Sequence, residues 1–435
     1  MKSKKSKIRN VANTPLWVKC GIFFAYLNII LSITGYNFVT TLFSRYMSFE
    51  DMSTSRLVTV PYRAFALGVA LMTLLLSLKQ KIHLNKNIYL LIFLWILILI
   101  RLFYDWKIRD DIFVSDEYWR MTLLFAIPIT LIPSIGVLNS IEYINFRKLL
   151  IYSFGLVALT VLLVLILNPD FLDEATHRLY ANVALNTISA GHMGLTGIIL
   201  SAYLLRYEKT NLPVKILIIL VMLMSGIIWL RAGSRGPILT AAVVFAVFIL
   251  GVTRYKLLNL TVLLIISLIC FLFFDKIIDF FGYISPIIKQ RLMSENQLLA
   301  RDELYTYAIN AFLDSPLVGR DFAVYKADGG AVYCHNMILD TFMQTGIFGG
   351  LIMIYLVVIS FTKTIKLLES KATCGWIGLL LVQNIMGCMV STNFYGNTLI
   401  TMCMIIVFIV SDVVDEGQKD VRQGVKPSKV ITNAD

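Results

Sequence analysis

Apolar runs long enough to cross a bilayer recur along almost the whole chain. They lie near 17–36, 64–78, 88–104, 121–137, 149–168, 187–205, 216–230, 237–252, 257–274, 347–362, 373–390 and 398–411. A hydrocarbon core of about 30 Å takes roughly 20 residues of helix at about 1.5 Å each. Several runs fall short of that, so their ends must dip into protein-lined or wet surroundings. A segment crossing lipid has to satisfy its own backbone hydrogen bonds, which a helix does. The expected fold is therefore an all-α polytopic membrane protein with about twelve transmembrane helices. Composition agrees, with 58% hydrophobic and only 15% charged residues, against about 25% charged in a soluble domain. A soluble enzyme, a disordered chain and a nucleic-acid binder whose net charge of +12 simply coats phosphates are all excluded.

The charge has to be read loop by loop. With the N-terminus inside, the loops on its side hold 23 Lys and Arg against 8 Asp and Glu. The other side holds 16 against 19. Both termini are expected in the cytoplasm. Met1 to Asn10 is basic and precedes an apolar run without a small-residue cleavage site, so it reads as an anchor beside the first span. The expected division is helices one to nine over 1–274, an outer loop or cap over 275–346, helices ten to twelve over 347–411, and a cytoplasmic tail over 412–435. The cap should be partly helical. Leu298, Leu299, Leu304, Ala308, Ala311 and Phe312 follow helical spacing, Ser315-Pro316 ends the pattern, and Asp328-Gly329-Gly330 marks a turn.

Three polar constellations gather on the expected outer face. The first is Arg231-Ala-Gly-Ser-Arg235-Gly236-Pro237 between two apolar runs. Two arginines four apart, with glycines freeing backbone N–H groups, suit a pyrophosphate, because a guanidinium donates in bidentate fashion and keeps its charge. The alternative is an interfacial turn with snorkelling arginines. The second is Tyr333-Cys334-His335-Asn336, which holds the one histidine of the long loop. An imidazole of ordinary pKa near 6.5 can accept a proton from a hydroxyl at neutral pH; the alternative is a packing histidine. Gly346, Gly349 and Gly350 follow, and permit close approach of a helix or a lipid chain. The third is His177-Arg178, with Asp170, Asp173 and Glu174 nearby, where a plain salt bridge competes with substrate binding.

Other candidates are weaker. The acidic groups at Glu50-Asp51, Asp105 to Asp111 and Asp116-Glu117 are spread over two loops and mostly solvated, so no metal site is expected. No CxxC or Cys/His metal spacing occurs, and five of the six cysteines sit in or beside apolar runs. His83 is a solvated loop residue. His192 either lines a cavity or bonds a neighbouring helix. Tyr325, Tyr333 and Tyr395 could stack on sugar rings, although aromatic residues are common at membrane interfaces.

Taken in order, Arg231-x-x-Ser-Arg-Gly at the outer end of a span and a long outer loop ending in His335-Asn336-x9-Gly346-x-x-Gly349 resemble the O-antigen ligase/polymerase superfamily. The loop helix with Arg301, Leu304 and Phe312, followed by Ser315-Pro316-Leu-Val-Gly319, is similar to that family's loop. The resemblance covers roughly 175–350 and the overall layout. It implies an inner-membrane glycosyltransferase of lipopolysaccharide biosynthesis, acting at the periplasmic face without metal or other cofactor. Its substrates would be a donor and an acceptor saccharide, carried on undecaprenyl pyrophosphate, and its partners would include a chain-length regulator in the membrane. The resemblance further implies that Arg178, Arg231 and Arg235 hold and stabilise the departing pyrophosphate and that His335 activates the acceptor hydroxyl. Arg301, Tyr333 and Asn336 complete the binding set.

Within the superfamily, a polymerase adds a growing glycan to a new lipid-linked repeat unit, and a ligase moves the finished glycan to the lipid A core. Asn186-Thr-Ile-Ser-Ala-Gly-His192 and Ser234-Arg-Gly-Pro237 resemble the polymerase branch more. A carrier or flippase for lipid-linked sugars is the reading from another class. It would place charges inside many spans and break helices in matching halves, whereas the interiors here are almost free of charge.

Overall fold

A computed structural model of the chain describes residues 15–43, 52–77, 84–112, 114–167, 186–253, 296–326 and 329–422, together with scattered positions between 258 and 279. It is all-α apart from one short hairpin. In chain order the helices are α1 (Leu16–Leu42), α2 (Met52–Ser77), α3 (Lys86–Lys107), α4 (Asp116–Ser140), α5 (Phe146–Leu167), α6 (Thr187–Tyr207), α7 (Leu212–Ala232) and α8 (Arg235–Val252). Beyond them come α9 (Asn296–Asp314), the antiparallel pair β1 (Val324–Tyr325) and β2 (Ala331–Val332), α10 (Met337–Glu369), α11 (Gly375–Val390) and α12 (Thr398–Arg422). Asn85, Asn186, Asn211 and Asn336 each start a helix by accepting first-turn N–H groups on the side-chain oxygen.

Ten of these helices are long and apolar enough to cross a membrane. They account for ten of the twelve runs. The run at 373–390 forms α11, whose 16 residues reach only about 24 Å. A helix that short can serve in the bundle because neighbours cover it: it packs against α6, α8, α10 and α12, and most of its side chains are buried. The run at 257–274 lies largely outside the described residues.

The helix after the long loop begins at Met337, ten residues before the apolar run at 347–362 would place it. It breaks at Gly346, whose φ of 67° is left-handed. Any side chain there would collide with the Leu317 backbone, and Gly319, at φ 73°, presses in the same way on Met343 to Thr345. Two glycines thus let the loop cross α10 at its kink, a contact no other residue type would allow.

Arg101 on α3 fastens that crossing. Its guanidinium donates to the carbonyls of Val318 (3.0 Å), Gly319 (2.6 Å), Arg320 (3.1 Å) and Gln344 (3.2 Å) and to Asp105 (3.3 Å). Asp105 in turn accepts from the Phe322 N–H (2.6 Å) and the Tyr325 hydroxyl (2.7 Å). Arg109 pairs with Asp321 and Asp111, and Arg320 with Asp321 and Asp314. The acidic stretch read from sequence as solvated is, at Asp105, a buried anchor for the loop. At the far end of the bundle Lys363 on α10 joins Asp412 and Ser411 on α12, and Asn85 donates to Asp412.

Candidate functional site

Two separate stretches converge on Ser391, the residue that ends α11. One is the elbow between α7 and α8. Gly233, in the left-handed region at φ 54°, caps α7, and Ser234 turns the chain so that Arg235 becomes the first residue of α8. Arg231 is exposed and Arg235 half-buried. A cation at a helix N-terminus adds its charge to the positive end of the helix dipole, an arrangement that suits a phosphate. Gly236 lies against α11: a Cβ built on it would sit 2.7 Å from the Ser391 Oγ.

The other stretch is Tyr333 to Asn336, between β2 and α10. His335 adopts φ 61°, rare for a residue with a side chain, and its ring Nδ1 lies 3.0 Å from the Ser391 carbonyl oxygen. A carbonyl only accepts, so Nδ1 carries the hydrogen and the neutral ring keeps its lone pair on Nε2. Burial lowers the His335 pKa from its ordinary value and the nearby Arg301 charge lowers it further, while the bond to Ser391 raises it. The net direction is down, so at neutral pH the imidazole is an unprotonated base. The Tyr333 ring meets the His335 ring edge-on at 4.5 Å, and its hydroxyl points to the same Ser391 oxygen at 3.4 Å.

A buried carboxylate stands behind this turn. Asp340 is 2% exposed, and its Oδ1 accepts the Cys334 N–H at 2.9 Å. Its Oδ2 has no hydrogen-bond partner among the described residues. The bond holds the Tyr333–Cys334 peptide, one residue before His335. Burial and this neighbouring carboxylate both push the Cys334 thiol up, which leaves it an inert packing group.

The other sequence candidates fall out as follows. Arg301 on α9 is half-buried and acts electrostatically on His335. Asn336 uses its carboxamide oxygen to cap α10, accepting from Ile338 and Leu339. Arg178 and His177 lie outside the described residues, as does His83. His192 is inside the bundle, where its ring faces Gly387 and its Nε2 is buried. Tyr325 is committed to Asp105 and Tyr395 packs on Phe322, so of the three loop tyrosines Tyr333 is the one beside the histidine. Among the described residues no group of three or more His, Cys, Asp or Glu side chains could hold a metal ion.

Sequence reasoning missed Ser391, Asp340 and the Arg101 clamp. Ser391 contributes a backbone carbonyl, which leaves no mark in residue type. Arg101 and Asp105 carried a signal, an i, i+4 pair of opposite charge in an apolar run.

An all-α polytopic protein with an arginine elbow and a histidine turn meeting at one end of its bundle is the class these features define. Residues 219–354, from α7 through the kink of α10, match the family model described as O-antigen ligase. Over this segment the chain is similar to the O-antigen ligase/polymerase superfamily, and the match does not separate its two branches. It also supports glycosyl transfer of that general type on lipid-linked saccharides. A search of curated proteins gives no match.

Proposed function

We propose that the protein polymerises undecaprenyl-pyrophosphate-linked repeat units by metal-independent glycosyl transfer. The observation that carries this reading is the His335 Nδ1–Ser391 bond, which leaves Nε2 free to act as a base beside the Arg231–Pro237 elbow. The acceptor hydroxyl gives its proton to His335 Nε2 as its oxygen forms a bond to the anomeric carbon of the donor. The bond from that carbon to pyrophosphate breaks, and its electron pair leaves with the phosphate. Arg231 and Arg235, with Arg178 as a third, stabilise the departing charge. Fixed charges aimed at the charge that develops are the main source of rate in such a step, and partial exclusion of water strengthens them. Tyr333 and Arg301 flank the acceptor, and Asn336 fixes the helix start behind it.

The loop and elbow then face the periplasm, with both termini in the cytoplasm and the chain in the inner membrane. The four-part division of the chain, with 275–346 as the cap, belongs to the same reading. Polymerase is preferred over ligase on the segments Asn186–His192 and Ser234–Pro237. The test supplies purified protein with the lipid-linked repeat unit, with and without lipid A core, and resolves products on a gel. A ladder from repeat units alone is the expected result. Product that requires lipid A core would make the protein a ligase, and lipid-linked sugar that moves between leaflets without transfer would make it a carrier.

A further inference from the structure

A cavity of about 580 Å³ opens between α1, α2 and α4 and ends against Ala331 to Tyr333. Its walls contain the two π-helical turns among the described residues, Leu31–Gly35 in α1 and Thr122–Ala126 in α4. A π-turn disturbs regular helix packing and recurs at functional sites. Two such turns, in helices far apart in sequence, border one cavity. The Leu31 carbonyl is steadied there by the Tyr62 hydroxyl at 3.1 Å.

Among the described residues Arg63 is the one charged side chain in the lining. It sits on α2 (Met52–Ser77), immediately before the apolar run at 64–78. It makes no ion pair or hydrogen bond among the described residues. Its guanidinium lies 5.9 Å from the centre of the Tyr36 ring. An arginine at the edge of an apolar run that faces a cavity is a candidate for holding an anion. The contrast with the groove of about 1010 Å³ between α3 and α10 is direct. Arg101, Arg109 and Arg320 line that groove, and all three are committed to carboxylates or carbonyls. Below Arg63 the cavity wall is apolar, through Ala66, Leu67, Phe125 and Ile129, and Met121 is exposed at its side.

A guanidinium that has no ion pair or hydrogen bond among the described residues, above an apolar wall, suits an amphiphile with a phosphate head and a hydrocarbon chain. The cavity reaches His335 through Tyr333, which lines it and meets the His335 ring edge-on. Arg231 and Arg235 do not line it; their elbow approaches Ser391 from α7 and α8. We infer that this cavity is a second lipid-phosphate site, in which Arg63 holds the phosphate of the lipid that supplies the acceptor hydroxyl to His335. The inference rests on the glycosyl-transfer reading for the role of that lipid and on the cavity alone for its binding.

The experiment uses the full-length protein in detergent, with undecaprenyl pyrophosphate as the probe, binding counted by native mass spectrometry. Wild-type protein should take up two equivalents. Arg63→Gln should weaken one of them by roughly tenfold or more, the scale of a charge-assisted contact. Arg63→Lys should keep it within a few-fold, and Ala66→Trp should block it by filling the wall. Variants that fold and bind both equivalents as wild type does would overturn the site. Inorganic pyrophosphate displacing that equivalent as well as the lipid does would also overturn it, since the hydrocarbon wall would then add nothing. In the transfer assay Arg63→Gln should raise the acceptor KM about tenfold while the donor KM stays. If wild-type protein transfers nothing yet the Arg63-dependent equivalent remains, the glycosyl-transfer reading falls and the lipid site stands. If transfer proceeds with the acceptor KM unmoved in Arg63→Gln, the acceptor assignment falls alone.

Discussion

The Nδ1 of His335 lies 3.0 Å from the carbonyl oxygen of Ser391, 56 residues further along the chain. The bond fixes the ring's tautomer, and the same residue abuts Gly236 of the arginine elbow through its Oγ. The histidine turn and the arginine elbow therefore meet at one residue, which takes part through its carbonyl and its hydroxyl.

The acid limb of the pH–rate profile should lie below the ordinary histidine value of about 6.5. His335 has a lowered pKa, so it stays neutral to lower pH, and the rate should fall only when pH drops through that lowered value. Removing the Arg301 charge takes away one cause of the lowering. Arg301→Gln should move the limb to higher pH, and His335→Ala should abolish transfer while leaving insertion in the membrane intact. An unmoved limb in Arg301→Gln would refute the electrostatic link.

Gly236→Ala should impair transfer because its Cβ meets the Ser391 Oγ at 2.7 Å. Overpacking of this kind costs about 1–3 kcal/mol. Ser391→Ala removes the opposing oxygen and leaves the carbonyl, so the double variant should recover most of the loss. The measure is a double-mutant cycle on stability and on rate; simple additivity would refute the contact.

Asp340→Asn keeps an acceptor for the Cys334 N–H and should retain most activity. Asp340→Leu removes it and releases the Tyr333–Cys334 peptide, one residue before His335. Its rate should fall at least about tenfold, by loss of positioning, with the pH–rate limb shifted. Equal activity of the two variants would show that the bond does not position the histidine.

Arg101→Leu should destabilise the protein by about 3 kcal/mol or more, because it strips four carbonyls of a donor and weakens the compensation of buried Asp105. Arg101→Lys should rescue little, since one ammonium cannot span the fork. Thermal unfolding in detergent reads both.

Transfer should persist in EDTA, because the proposed stabilisation of pyrophosphate comes from arginines. Arg231→Gln and Arg235→Gln should each weaken binding of pyrophosphate-linked lipid by about tenfold or more. Activity lost in chelator and restored by a divalent ion would contradict the arginine clamp.

The apolar runs made the helical membrane fold legible from sequence, because lipid allows so few ways to satisfy a backbone. Local order did the same for the loop helix over Leu304 to Phe312, whereas α10 begins at Met337, ten residues ahead of its apolar run. The Arg231–Pro237 and His335–Asn336 segments stood out because charge and unusual turns are rare among apolar runs. Gly346 stood out as a place of close approach, and the structure puts a left-handed kink there against Leu317.

Local pattern could not show which distant surfaces meet. Asp105 looked like a solvated loop acid, yet Arg101, Phe322 and Tyr325 enclose it, two of them more than 200 residues away. Ser391 carried no signal, since its part is played by a carbonyl that every residue owns. Arg63 gained meaning only when two π-turns and Tyr333 closed a cavity beside it. Periodicity and the cost of burying charge act along the chain and can be read from it. The partner of a carbonyl, a guanidinium or a cavity wall is chosen by packing, so tertiary structure alone decided how the site is assembled.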